Sequence, residues 1–195
     1  MKVTVVGDSV AWGQGLLDTH KYSSIVNLQA ATQRFTSPES RFVVTGYYPI
    51  LSRESAPFRV PLLLATNGVS FAPFMHQETV FDKVVALGLQ FWHESTDCLQ
   101  SAVRDCGDAR VSFADAAFTE ANAVFATTPL LWGVKTDFSP QDEVVGDRHG
   151  ACDVAYPLPL TVVEREACYR ASAGHPNVAG AEQFAQAIVA SLAVV

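Results

Sequence analysis

Two polar residues near opposite ends of the chain have the types and settings that nucleophilic catalysis requires: Ser9, in Gly7-Asp8-Ser9, and His175, in His175-Pro176-Asn177. A serine hydroxyl attacks an acyl carbon only when a positioned base takes its proton, and an imidazole is the commonest such base. Gly7 lets the backbone turn tightly, and a backbone N–H beside Ser9 would face a developing oxyanion. Pro176 fixes the corner into the last helix and would hold the imidazole steady. Distance along the chain is no obstacle, because such pairs are assembled in space. Each piece alone has a plainer reading: Gly-Asp-Ser is a common turn tripeptide, and a histidine ahead of a helix is often a surface or capping residue. Asp8 reads as an acceptor that shapes the turn. Trp12 either lines an acyl pocket or packs against the first helix.

The elements that would position these residues follow from hydrophobic patterning. Lys2 to Val6 is β-branched and scarcely alternates, which suits a buried parallel strand ending at Gly7; Gly13 and Gly15 mark the turn region beyond. A helix is expected from about Tyr22 to Phe35, with Ile25, Leu28 and Ala31 at helical spacing. Arg41 to Thr45 reads as a second buried strand closed by Gly46-Tyr47-Tyr48-Pro49. Ser52 to His76 reads as a lid or substrate-facing loop with a short strand at Val60 to Thr66. Thr79 and Asp82 resemble a capping box. They would open a long helix whose broad face carries Phe81, Val84, Val85, Gly88, Phe91, Trp92, Ser95, Cys98, Leu99, Ala102 and Val103, with Gly107 as its stop. Arg110 to Ala114 reads as a third strand and residues 128–170 as irregular. A last helix is expected from Pro176 at its first turn, with Val178, Ala181, Phe184, Ile188 and Leu192 inward. Strands alternating with helices imply an α/β domain, with its ligand site beyond the carboxyl ends of the strands.

The chain has 195 residues, 49% of them hydrophobic and 17% charged, enough for one compact domain spanning 1–195. A formal charge of -7 disfavours nucleic acid as a partner. No apolar run is long enough to span a bilayer, and nothing at the N-terminus reads as a signal peptide. The default expectation is therefore cytoplasmic, with secretion the alternative if a leader has been removed. Cys98 and Cys106 fall on the long helix as buried thiols. Cys152 and Cys168 flank a Pro-containing loop and would pair if the protein is exported; spacing alone leaves both states open. His149, Cys152 and Cys168 match no standard zinc spacing and lack a fourth ligand. Gly13-Gln14-Gly15 lacks the glycine and lysine of a phosphate loop. No metal or organic cofactor is expected.

Val5-Val6-Gly7-Asp8-Ser9-Val10 resembles block I of the SGNH/GDSL hydrolases, and Gly174-His175-Pro176-Asn177-Val178-Ala179-Gly180 resembles their block V, in the family's order at the two ends of the chain. Phe42 to Pro49 resembles the strand leading into the second half of such enzymes. The resemblance implies a three-layer α/β/α flavodoxin-like fold with a central parallel sheet. It implies a serine esterase, lipase or deacetylase acting on a small-molecule, lipid or carbohydrate ester, with Ser9 as nucleophile and His175 as base.

The chain departs from the family at three points. Ser172 stands where the family has its acid, three positions before His175. The imidazole must then be oriented by another acid (Asp142, Glu143 and Asp147 are the candidates), by a backbone carbonyl, or by Ser172 itself. No Gly-x-Asn-Asp is present to complete the oxyanion hole beyond the Ser9 N–H, and Asn67-Gly68 reads better as a turn. Between Ser9 and Thr45 there is room for one helix, so the sheet would be reduced. A non-catalytic SGNH-like binding or scaffold domain is the alternative reading.

Overall fold

The structure, a computed structural model, describes residues 3–5, 29–66, 77–137, 139–158 and 162–193. Along the chain come β1 (Val3–Val5), a helical stretch α1 described over 29–34, β2 (Arg41–Thr45), α2 (Val60–Thr66), α3 (Gln77–Cys106), β3 (Val111–Ala114), α4 (Val145–Ala155), α5 (Val162–Tyr169) and α6 (Val178–Ala193). Helices and parallel strands are mixed, the α/β character expected from the sequence. Among the described residues no helix is long and apolar enough to cross a membrane. The chain divides into two compact units: Met1–Tyr47 with Phe91–Ala117 and Glu182–Val195, and Tyr48–Gln90 with Phe118–Ala181.

In the first unit the three strands lie parallel in the order β1-β2-β3, with Val3 opposite Arg41 and Phe42 opposite Val111. Phe42, Val43 and Val44 are buried in succession. Neighbouring side chains on a strand point to opposite faces, so both faces of β2 are covered. Phe42 and Val44 pack with Leu99 and Ala102 of α3 and Val111 of β3, and Ala31, Val103, Cys106 and Phe113 close around them. The helix α3 stops at Cys106 because Gly107 takes φ 68°, a left-handed conformation open to glycine at little cost. The third strand starts at Val111 rather than Arg110. The Arg110 guanidinium instead donates to the Thr32 carbonyl at 2.9 Å, to the Ser37 carbonyl at 3.2 Å and to Asp108 at 2.6 Å. One side chain thus ties the end of α1 and the turn after it to the start of β3.

The second unit corrects several expectations. Val60–Thr66 is helical, not a strand. Pro61 sits in its first turn, where its missing N–H costs nothing, and Leu62, Leu63 and Leu64 favour helix. Val60 and Leu63, three residues apart on one face, are buried. The part of the expected lid at 52–56 is tied down: the Ser52 hydroxyl donates to the Glu120 carbonyl and the Ser55 hydroxyl to the Val124 carbonyl, both at 2.7 Å and both serines buried. The helix α3 is described from Gln77, so Thr79 lies within it and not at the start expected for it. Residues 128–170 are not irregular, since they hold α4 and α5. Val178 and Ala181 of α6 are exposed; Phe184, Ile188 and Leu192 of the same helix, which belong to the first unit, are half-buried.

Leu99 is 1% exposed at the centre of the first core. Leu99→Ala is expected to lower unfolding stability by about 2–5 kcal/mol through the cavity it leaves, read from urea denaturation. A loss below about 1 kcal/mol would contradict this packing.

Candidate functional site: the His175 turn

Ser9, Asp8, Trp12 and Asn67 lie outside the described residues. His175 does not, and the second unit builds a frame around it. From the end of α5 the chain descends through successive tight turns. The last of them runs from the Ser172 carbonyl, which accepts the His175 N–H at 2.9 Å. Gly174 has φ 83°, which a side chain would oppose. The chain then pairs with the 130–132 segment. The Trp132 carbonyl accepts the Gly174 N–H, and the Trp132 N–H donates to the His175 carbonyl, each at 2.8 Å. The Leu130 carbonyl takes the Asn177 N–H at 2.9 Å, and Leu131 and Pro176 form an antiparallel bridge. The backbone of His175 is therefore held at both its N–H and its C=O, while its side chain is exposed.

Pro176 is not in the first turn of α6 as expected. The helix starts at Val178, and Asn177 is its cap: Asn177 Oδ1 accepts the Gly180 N–H at 3.0 Å, and Nδ2 donates to the Pro129 carbonyl at 2.9 Å. Gly180 lets this corner close. A Cβ placed there would lie 2.3 Å from the Leu130 carbonyl oxygen, inside any tolerable contact.

Behind the turn sits a buried charge. The Ser172 hydroxyl donates to Asp142 Oδ2 at 2.5 Å, and Arg148 Nη2 donates to the same oxygen. The Asp142 side chain is 2% exposed and that of Arg148 17%. Asp142 Oδ1 is also buried and has no hydrogen-bond partner. Burial pushes the Asp142 carboxyl up, but the Ser172 hydroxyl and the Arg148 guanidinium outweigh it and hold the carboxyl below its ordinary range. Arg148 Nε donates onward to the Tyr169 carbonyl at 3.1 Å, so one guanidinium joins α4 to the end of α5. Of the three acids considered from sequence, Asp142 is thus joined to the His175 turn, while Glu143 and Asp147 are exposed. Arg148 was not anticipated; its role depends on a fold that sequence spacing did not display.

Cys152 of α4 and Cys168 of α5 are joined in a disulfide, with Cα atoms 5.9 Å apart. The pairing is one of the two states that spacing left open, and in it neither thiol is available to a zinc site with His149. His149 stacks on Tyr169, ring centroids 4.0 Å apart. The Tyr169 hydroxyl donates to Asp153, which pushes its pKa up. Among the described residues no group of three His, Cys, Asp or Glu side chains could hold a metal ion. The same unit holds an open cavity of about 380 Å³ lined by Arg53, Phe81, Asp82, Val85 and Ala86, none of them part of the turn. Comparisons with protein-family models, with curated proteins and with solved structures find no match to this chain.

Two outcomes are expected here. Gly180→Ala should destabilise the protein by about 1–3 kcal/mol through overpacking. Amide exchange should quicken at Trp132 and Asn177 but not at Val43; uniform protection would count against the close approach. The second concerns acid. The Asp142 pKa is lower folded than unfolded, so its contribution is complete above the unfolded value, about 3.9, and is lost as pH falls through the folded value. The stability gap between wild type and Asp142→Asn, measured by urea unfolding, should be level at neutral pH and shrink steadily below about pH 4. A gap independent of pH would refute the charged Asp142.

Proposed function

We propose that the chain is a serine ester hydrolase of the SGNH/GDSL kind, built on a reduced three-layer α/β/α flavodoxin-like fold with a central parallel sheet. Ser9 is the nucleophile and His175 the base. The reading is supported by the block I and block V resemblances, and the observation that carries it is the His175 turn. An exposed imidazole stands on a backbone fixed on both sides by Trp132, directly ahead of a capped helix. Such fixation sets the point from which the imidazole reaches a substrate, and positioning of a catalytic group lowers the barrier it must cross.

In the proposed reaction Ser9 Oγ attacks the acyl carbon of an ester while His175 takes the hydroxyl proton. The carbonyl oxygen becomes an oxyanion facing the Ser9 N–H. Collapse expels the alcohol, which receives the proton from His175. Water then attacks the acyl-enzyme by the same route and releases the acid. The substrate is a small-molecule, lipid or carbohydrate ester.

Hydrolysis of p-nitrophenyl acetate by wild type, Ser9→Ala and His175→Ala tests this. Each variant is expected to lose roughly a thousand-fold or more in kcat, and an organophosphonate should label Ser9 in wild type alone. Inactive wild type would favour a non-catalytic domain of the same fold, and full rate in Ser9→Ala would remove Ser9 as the nucleophile.

A further inference from the structure

Resting on the hydrolase reading, we propose that Asp142 is the positioning residue for His175, acting through the hydroxyl and the carbonyl of Ser172. Three observations converge on Ser172. Its side chain donates to Asp142 Oδ2 at 2.5 Å. Its carbonyl accepts the His175 N–H at 2.9 Å. Arg148 donates to the same carboxylate oxygen and, through the Tyr169 carbonyl, holds the end of the helix from which the turn descends. Asp142, 30 residues away and paired with Arg148, holds the Ser172 side chain, and Ser172 in turn holds the His175 N–H.

The plain alternative is a structural cross-link between α4 and the turn. Such a link would be made at less cost by apolar side chains, because a buried carboxylate must be compensated for lost hydration. Both donors crowd onto Oδ2 and leave Oδ1 buried and unpartnered, so the carboxylate is not arranged for the most favourable burial. Kept at that cost, the Asp142–Arg148 pair holds the residue whose carbonyl takes the His175 N–H, and so fixes the backbone from which the base projects.

The test measures kcat and KM for p-nitrophenyl acetate in wild type, Ser9→Ala, Asp142→Asn, Ser172→Ala, Ser172→Thr and the double variant Asp142→Asn/Ser172→Ala, with thermal melting of each. Asp142→Asn and Ser172→Ala are each expected to lose on the order of 10- to 100-fold in kcat with KM little changed. Ser172→Thr, which keeps the hydroxyl, should restore most of the rate. The double variant should be no slower than the slower single variant, as for two members of one relay. Retention of wild-type kcat by Ser172→Ala, or multiplied losses in the double variant, would overturn the proposal. Ser172→Ala leaves the Arg148–Asp142 pair in place, so the test stands even if Asp142→Asn fails to fold. Full rate in Ser9→Ala would remove Ser9 as the nucleophile and with it the proposed function, an outcome separate from these.

Discussion

A carboxylate withdrawn from water stays ionised only where donors replace its hydration, and around Asp142 those donors are Arg148 and Ser172. This constraint organises the second unit. Arg148 is fixed in α4, so the charge fixes the 142 loop against that helix. Arg148 also reaches the Tyr169 carbonyl, so the end of α5 is held by the same group. Ser172 must then present its hydroxyl inward, which sets the turn that follows. Removing one partner of such a group costs more than the pair is worth, because the other is left charged and buried.

The two units are held by different means. Around β2 the order comes from apolar burial: Phe42, Val43 and Val44 leave water together, and Leu99 and Ala102 meet them from α3. Around His175 the order comes from the main chain. Trp132 clasps both sides of the turn and Asn177 caps the next helix, and neither device depends on side-chain volume. Because the turn is held through peptide groups, the His175 side chain is left exposed.

What could be read from the sequence follows the same division. The bounds of β2 were legible because three consecutive apolar residues, two of them β-branched, lie between polar flanks. The face of α3 is legible from Val85, Leu99 and Ala102, whereas the buried position beside them is Leu89 and not Gly88. Val60–Thr66 was misread because a short apolar run has no period to separate strand from helix. The helix α4 was invisible: Gly146 and Gly150 interrupt it and Cys152 is its buried residue. At the site, His175 was found by motif, and Asp142 stood among three acids that spacing could not rank. Only the fold shows which of them meets the turn, since the Ser172–Asp142 bond spans 30 residues. The Ser9 side of the site lies outside the described residues and rests on its motif alone.

The disulfide between α4 and α5 bears on the order in which the molecule assembles. Cys152 and Cys168 are 16 residues apart, whereas the Ser112–Phe42 contact between β3 and β2 closes 70. Loop entropy grows with the logarithm of length, so the shorter closure costs about 1.3 kcal/mol less. Where thiols are oxidised, the covalent frame next to the His175 turn can be sealed before the parallel strands have met. Where they are kept reduced, the same hairpin must wait for packing to hold it.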